Sequence, residues 1–99
     1  MLPVEQRKRP RFALRLPLAV TKSEGERTAL AGYTRNISGG GVLFTAEPQP
    51  PPGGRIEYVI TLPSAAAHPV NVRCIGRVLR SEPDGVAATL ERFEFLRTG

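Results

Sequence analysis

The chain is poor in the side chains that carry most enzymatic chemistry. It holds one cysteine, Cys74, one histidine, His68, and no tryptophan. A lone cysteine excludes an internal disulfide, so a reducing, cytoplasmic setting is expected, and its apolar neighbours read as those of a small core residue. One cysteine and one histidine also leave a zinc site short of ligands. His68 stands beside Pro69 in a loop-like stretch with no evident nucleophile partner, and the carboxylates are scattered without a pair. Neither an enzyme nor a resident metal or cofactor is therefore expected, and a hydrolase is the most remote of the readings. No stretch approaches 18 consecutive apolar residues, and Arg15 and Pro17 interrupt the run after the basic N-terminus. Neither membrane insertion nor a signal peptide is expected. The glycine run "SGGG" lacks the Lys and Ser/Thr of a P-loop, and no G-x-G-x-x-G lies between a strand and a helix.

What the chain does have is positive charge, and it is localised. The formal net charge is +5 over 99 residues. Residues 1–22 contain Arg7, Lys8, Arg9, Arg11, Arg15 and Lys22 against Glu5 alone, whereas the other 77 residues hold eight Lys or Arg and eight Asp or Glu. The whole excess sits on an N-terminal arm and the first strand. Such an arm meets phosphates, an anionic surface or an acidic protein, or else only keeps the domain solvated.

The rest alternates as strands do. Phe12, Leu14, Leu16, Leu18 and Val20 recur with period two, with Pro17 predicting a strand that lies partly at an edge. "KSEGE" supplies a turn; a second strand is predicted from Thr28 to Asn36 and a third through Val42, Leu43 and Phe44. "EPQPPPGG" reads as a stiff surface loop and "PSAAAHP" as another loop. Ile56, Tyr58, Ile60 and Leu62 alternate, as do Val70, Val72, Cys74 and Val78 opposite Asn71, Arg73 and Arg77. Asp84-Gly85 is the expected tight element of a turn, and "VAATLERFEFLRTG" is read as strand at first with an open end, since Leu90, Phe93 and Leu96 also fit helical spacing. Six or so short strands predict an all-β, six- to seven-stranded antiparallel barrel, closed because closure leaves the fewest edges. The expected organisation is a flexible basic arm over residues 1–11 and one barrel domain over 12–99.

Two short motifs carry the functional reading. Arg7 and Arg11 are four apart, and Pro10 disfavours helix at Arg9, so an extended segment would hold their Cα atoms about 13 Å apart on one side. That suits a ligand with two anionic or guanine-like ends, which the planar fork of arginine can pair bidentately or stack upon. Downstream, "RNISGGGVLF" places Gly39, Gly40 and Gly41 before an apolar strand, where positive φ would let amide groups converge on an anion. Taken alone, the glycines read rather as a tight connection between the second and third strands.

In order, Arg7-x-x-x-Arg11 and Asn36-x-Ser38-x-x-Gly41 resemble the two-part signature of PilZ domains, bacterial receptors for cyclic di-GMP. The likeness extends over nearly the whole chain, including "IGRVLRSEPDGVAATLE", which is similar to the family's late hairpin. Asn36 is the permitted alternative to Asp.

The resemblance implies a non-enzymatic cyclic di-GMP sensor whose arm folds over the ligand and signals to a protein effector. It assigns Arg7 and Arg11 to phosphates and guanine edges, Asn36 to a guanine, Ser38 to guanine or phosphate, and Gly41 to close backbone approach. Gln6 holds a place that influences ligand stoichiometry in the family; Lys8 and Arg9 are auxiliary cations, Gly39 and Gly40 secondary contacts, and Arg80 a further candidate facing the site. Before binding, like charges and chain entropy should keep the arm poorly ordered, so binding would act as an ordering switch. Two rivals stand beside this: a basic barrel for single-stranded nucleic acid, disfavoured because most aromatics fall on core faces, and a PilZ-like interaction module without ligand.

Overall fold

The computed structural model describes residues 12–63 and 68–96. Seven strands follow one another: β1 (Pro17–Ser23), β2 (Glu26–Ile37), β3 (Gly41–Ala46), β4 (Arg55–Leu62), β5 (Val70–Glu82), β6 (Gly85–Thr89) and β7 (Arg92–Leu96). All pairings are antiparallel. The order β4-β1-β2-β3-β6-β5 is closed by pairing of β4 with β5, giving a six-stranded barrel, and β7 adds to β5 outside that circuit. The all-β barrel expected from the alternation is thus observed. The basic arm, residues 1–11, lies outside the described residues, as does most of the "PSAAAHP" loop.

The inward residues are those the period-two pattern picks out. Leu18 and Val20, Val42 and Phe44, Ile56, Tyr58 and Ile60, Val72, Cys74 and Val78, Val86 and Ala88 form one buried cluster. Phe44 and Tyr58 stack with ring centroids 5.9 Å apart. The Tyr58 hydroxyl donates to the Thr89 carbonyl at 3.0 Å, so this buried phenol is satisfied.

Several local expectations are corrected. Pro17 marks an edge only at its own position: it opens β1 opposite Tyr33 with no β4 partner, and from Leu18 onward β1 is flanked by both β2 and β4. A proline at the start of a strand removes little from the ladder. The alternation upstream of it does not bury its residues either, since Phe12 and Leu14 are exposed. In the β1–β2 hairpin, Ser23 pairs with Glu26, and Glu24 and Gly25 take φ of 53° and 86°. Two left-handed central residues match the twist of the strands, and this is where glycine is needed. In the β5–β6 hairpin Glu82 pairs with Gly85, so Pro83 and Asp84 form the loop and Gly85 opens β6 at φ 153°.

As far as Leu96 the C-terminal segment is strand, broken at Leu90 and Glu91. β5 is long enough to pair with β6 through Val78–Glu82 and with β7 through Asn71–Ile75, along the same edge. At the break, the Arg77 amide donates to Thr89 Oγ1 and the Glu91 amide to the Ile75 carbonyl, both at 2.9 Å. Gly76 faces this break so closely that a Cβ would stand 1.9 Å from the Thr89 carbonyl oxygen. The helical spacing of Leu90, Phe93 and Leu96 has no structural counterpart.

Candidate functional site on the outer barrel wall

β2 begins as a regular strand with Leu30 and Thr34 turned inward, and continuing that period would place Asn36 in the core. A bulge at Arg35 prevents it. Thr34 pairs with Phe44, whereas Asn36 pairs with Leu43 and Ile37 with Val42, so Asn36 turns outward and Ile37 inward. β5 repeats the device: its register shifts between Val78 and Arg80, and Arg80 lies opposite Ala87. Since Leu43 also pairs with Ala87, the residues Asn36, Leu43, Ala87 and Arg80 form one lateral row across four strands. Three inter-strand steps separate its polar ends by about 14 Å. The centre is a methyl group and a leucine side chain.

This row floors a shallow depression of about 180 Å³, lined by Asn36, Ser38, Gly41, Leu43, Leu79 and Arg80 among others. Ligand sites that enclose a small molecule usually reach about 300–1,000 Å³, so the wall offers a floor rather than a finished pocket. A larger hollow of about 390 Å³ lies elsewhere on β1, β2 and β4, around Ala19, Ala31, Gly32, Tyr33 and Val59. No lining residue there is charged, and the Arg15 guanidinium at its margin is stacked over the Tyr33 ring, 3.9 Å from the centroid.

The β2–β3 turn closes one end of the row. Ser38 donates its amide to the Gly41 carbonyl at 2.9 Å, its hydroxyl reaches the same oxygen at 3.3 Å, and the Gly40 amide donates to Ser38 Oγ at 3.4 Å. The Gly40 carbonyl in turn accepts from the Leu90 amide at 3.0 Å, tying the turn to the end of β6. Positive φ occurs at Gly25, Gly53 and Gly85 and not in the Gly39–Gly41 run. Of the two readings of the glycine run, the tight connection between strands is therefore the one observed, and the left-handed anion nest is not. The need for glycine at 41 is instead steric, because a Cβ would sit 3.0 Å from the Ala88 carbonyl oxygen.

Cations flank the depression. Arg80 lies 3.5 Å from Glu82 through its Nε and is well exposed. Arg35, on the bulge, donates to the Asp84 carbonyl at the tip of the neighbouring hairpin.

Arg7 and Arg11, with Gln6, Lys8 and Arg9, lie outside the described residues, yet the point where their segment meets the barrel is defined. Phe12 and Ile37 exchange two backbone hydrogen bonds, of 2.8 and 2.9 Å. Ile37 is the residue between Asn36 and Ser38. Buried Thr34 secures the following stretch: its hydroxyl accepts from the Leu16 amide at 2.9 Å and donates to the Leu14 carbonyl, while its own amide donates to the Leu16 carbonyl at 2.8 Å. Phe12, the residue after the first motif, is thus bonded to a residue inside the second.

Residues 5–98 match the PilZ domain. The chain belongs to the PilZ family. PilZ domains are typically non-catalytic receptor domains, and the family generally binds cyclic di-GMP. No curated protein and no solved structure matches the chain. Other chemistry is thinly represented in this PilZ domain. Among the described residues no cluster of three or more His, Cys, Asp or Glu could hold a metal, and no helix is long and apolar enough to cross a membrane. Cys74 is buried, and burial pushes its thiol up to about 11, so it is a core residue and not a thiolate at neutral pH. Burial likewise raises Tyr58 well above the usual phenol range.

Sequence reasoning missed Leu43, Leu79 and Ala87 as the floor and Arg35 as the bulge. Their roles depend on register across four strands, for which a single strand's periodicity holds no signal.

Proposed function

We propose that this PilZ domain is a cyclic di-GMP sensor that holds the nucleotide between its outer wall and its basic arm, and that the resulting order in the arm is read by a protein partner. The observation that carries the reading is the Phe12–Ile37 bridge, which makes the covalent neighbour of Arg11 a hydrogen-bonded partner of the residue between Asn36 and Ser38. In this reading Arg7 and Arg11 grip phosphates and guanine edges from above, while Asn36 and Ser38 hydrogen-bond from the wall. Gly41 keeps the turn close, Gly39 and Gly40 line its rim, and Arg80 adds charge at the far end of the row. Gln6 bears on how many ligand molecules are held, and Lys8 and Arg9 supplement the charge.

The open floor fits this division of labour, because a cleft completed by an arm changes shape when filled. A doubly anionic ligand relieves repulsion between the arm's cations, so its contacts exist only in the closed state and shift the equilibrium toward it.

Calorimetric titration of cyclic di-GMP into the wild type and Arg11→Ala tests the proposal. Charge-assisted hydrogen bonds of about 1.5–3 kcal/mol predict a roughly tenfold to hundredfold loss in the variant. Absence of binding to the intact chain, or equal affinity in the variant, refutes it.

A further inference from the structure

β7 is the one barrel-derived strand with a single partner among the described residues. Its inner edge is fully paired with Asn71–Ile75 of β5, whereas its outer edge, unlike that of β6, meets no other strand. An open edge is a template for another strand. β7 also carries the most exposed aromatic pair described in the protein: Phe93 and Phe95 are 59% and 62% exposed, with rings edge to face at 6.0 Å. They pair with Cys74 and Val72, so they point to the core side of the sheet at a place where the barrel wall no longer covers them.

We propose that the outer edge of β7 pairs antiparallel with β7 of a second copy of this chain, in the register that sets Phe93 opposite Phe93. The charges select both the occupant and the register. In "RFEFL", that register puts Arg92 opposite the partner's Glu94, and Glu94 opposite the partner's Arg92. Centring one residue later would instead oppose Glu94 to Glu94, and like charges directly across a ladder are destabilising. Glu94 already pairs with Arg73 on its own sheet. The favoured register therefore sets this carboxylate between two guanidinium groups and leaves no acidic pair in contact. On the other face, Phe93 meets its counterpart and Phe95 lies diagonally within reach, which covers the exposed rings.

A five-residue strand makes a small interface, so the dimer belongs with weak, transient complexes. The surface is independent of the cyclic di-GMP reading, and the experiment is done without nucleotide. Sedimentation equilibrium of the full chain from roughly 10 to 500 μM should show monomer–dimer exchange. Arg92→Glu and Glu94→Arg should each be monomeric, with circular dichroism confirming an intact fold. An equimolar mixture of the two should form a heterodimer, because every facing pair is then of opposite charge. A wild type that is monomeric throughout, a dimer indifferent to either reversal, or a mixture that stays monomeric overturns the proposal.

Discussion

The Thr34 hydroxyl joins two backbone groups of the segment that follows the arm, accepting from the Leu16 amide and donating to the Leu14 carbonyl. One side-chain oxygen in the core thus fixes the approach of the chain to the Phe12–Ile37 bridge. Thr34→Val preserves shape but leaves both groups unpaired. Stability should fall by about 1–3 kcal/mol in urea denaturation, and cyclic di-GMP affinity should fall with it because the arm loses its anchorage. A variant with wild-type stability would show that water satisfies these groups.

Ala87 lies at the centre of the lateral row, facing outward between Leu43 and Arg80. Ala87→Phe fills the depression without entering the core. Calorimetry should show at least a roughly tenfold loss of nucleotide affinity, whereas stability should change by only about 0.5 kcal/mol, as is usual at such surface positions. Unaltered binding would place the ligand elsewhere on the barrel.

Gly76 tests the break between β6 and β7. Its added Cβ would meet the Thr89 carbonyl oxygen at 1.9 Å and Thr89 Oγ1 at 2.9 Å. Gly76→Ala must push backbone apart and should destabilise by about 1–3 kcal/mol or more in chemical denaturation. A neutral effect would mean that the two strands slide freely past one another.

Alkaline stability follows from the buried thiol. Cys74 titrates at about 11 in the fold against 9.0 for a free thiol, because burial disfavours the thiolate. Above pH 9 the unfolded chain loses this proton while the folded chain keeps it, so the unfolded state binds fewer protons and stability falls as pH rises. The contribution is fully present below pH 9 and is lost between pH 9 and 11. Tyr58 is displaced in the same direction and extends the decline. Cys74→Ala should shallow the fall in stability measured between pH 9 and 11, although its cavity lowers the whole curve. An unchanged slope would contradict the burial argument.

Much of the barrel was legible because its inward residues are apolar at alternate positions. Leu18 with Val20, Ile56 through Ile60 and Val72 through Val78 needed only a period of two. The candidate site was legible differently, as an ordered pair of motifs whose spatial junction periodicity could not supply. Arg35 and Leu79 were opaque because a bulge reverses facing without altering composition. Pro17 was legible only in part, because a strand's first residue and an edge strand tolerate proline for similar reasons, and here only the first residue lacks its second partner. The Gly39–Gly41 run was legible as a tight turn but not in its reason at Gly41, since glycine can answer a crowded carbonyl as well as a left-handed turn, and there a Cβ would stand 3.0 Å from the Ala88 carbonyl oxygen.

The bridge at Phe12 also sets a leash. Four residues separate Arg7 from it, and five Cα–Cα steps of about 3.3–3.6 Å each put an upper bound of about 17 Å on the distance between the Arg7 and Phe12 Cα atoms. Under the proposed function, cations held within that bound would meet a wall-bound anion at an effective concentration set by the tether rather than by the bulk solution. In that reading their grip is governed by tether length as well as by charge.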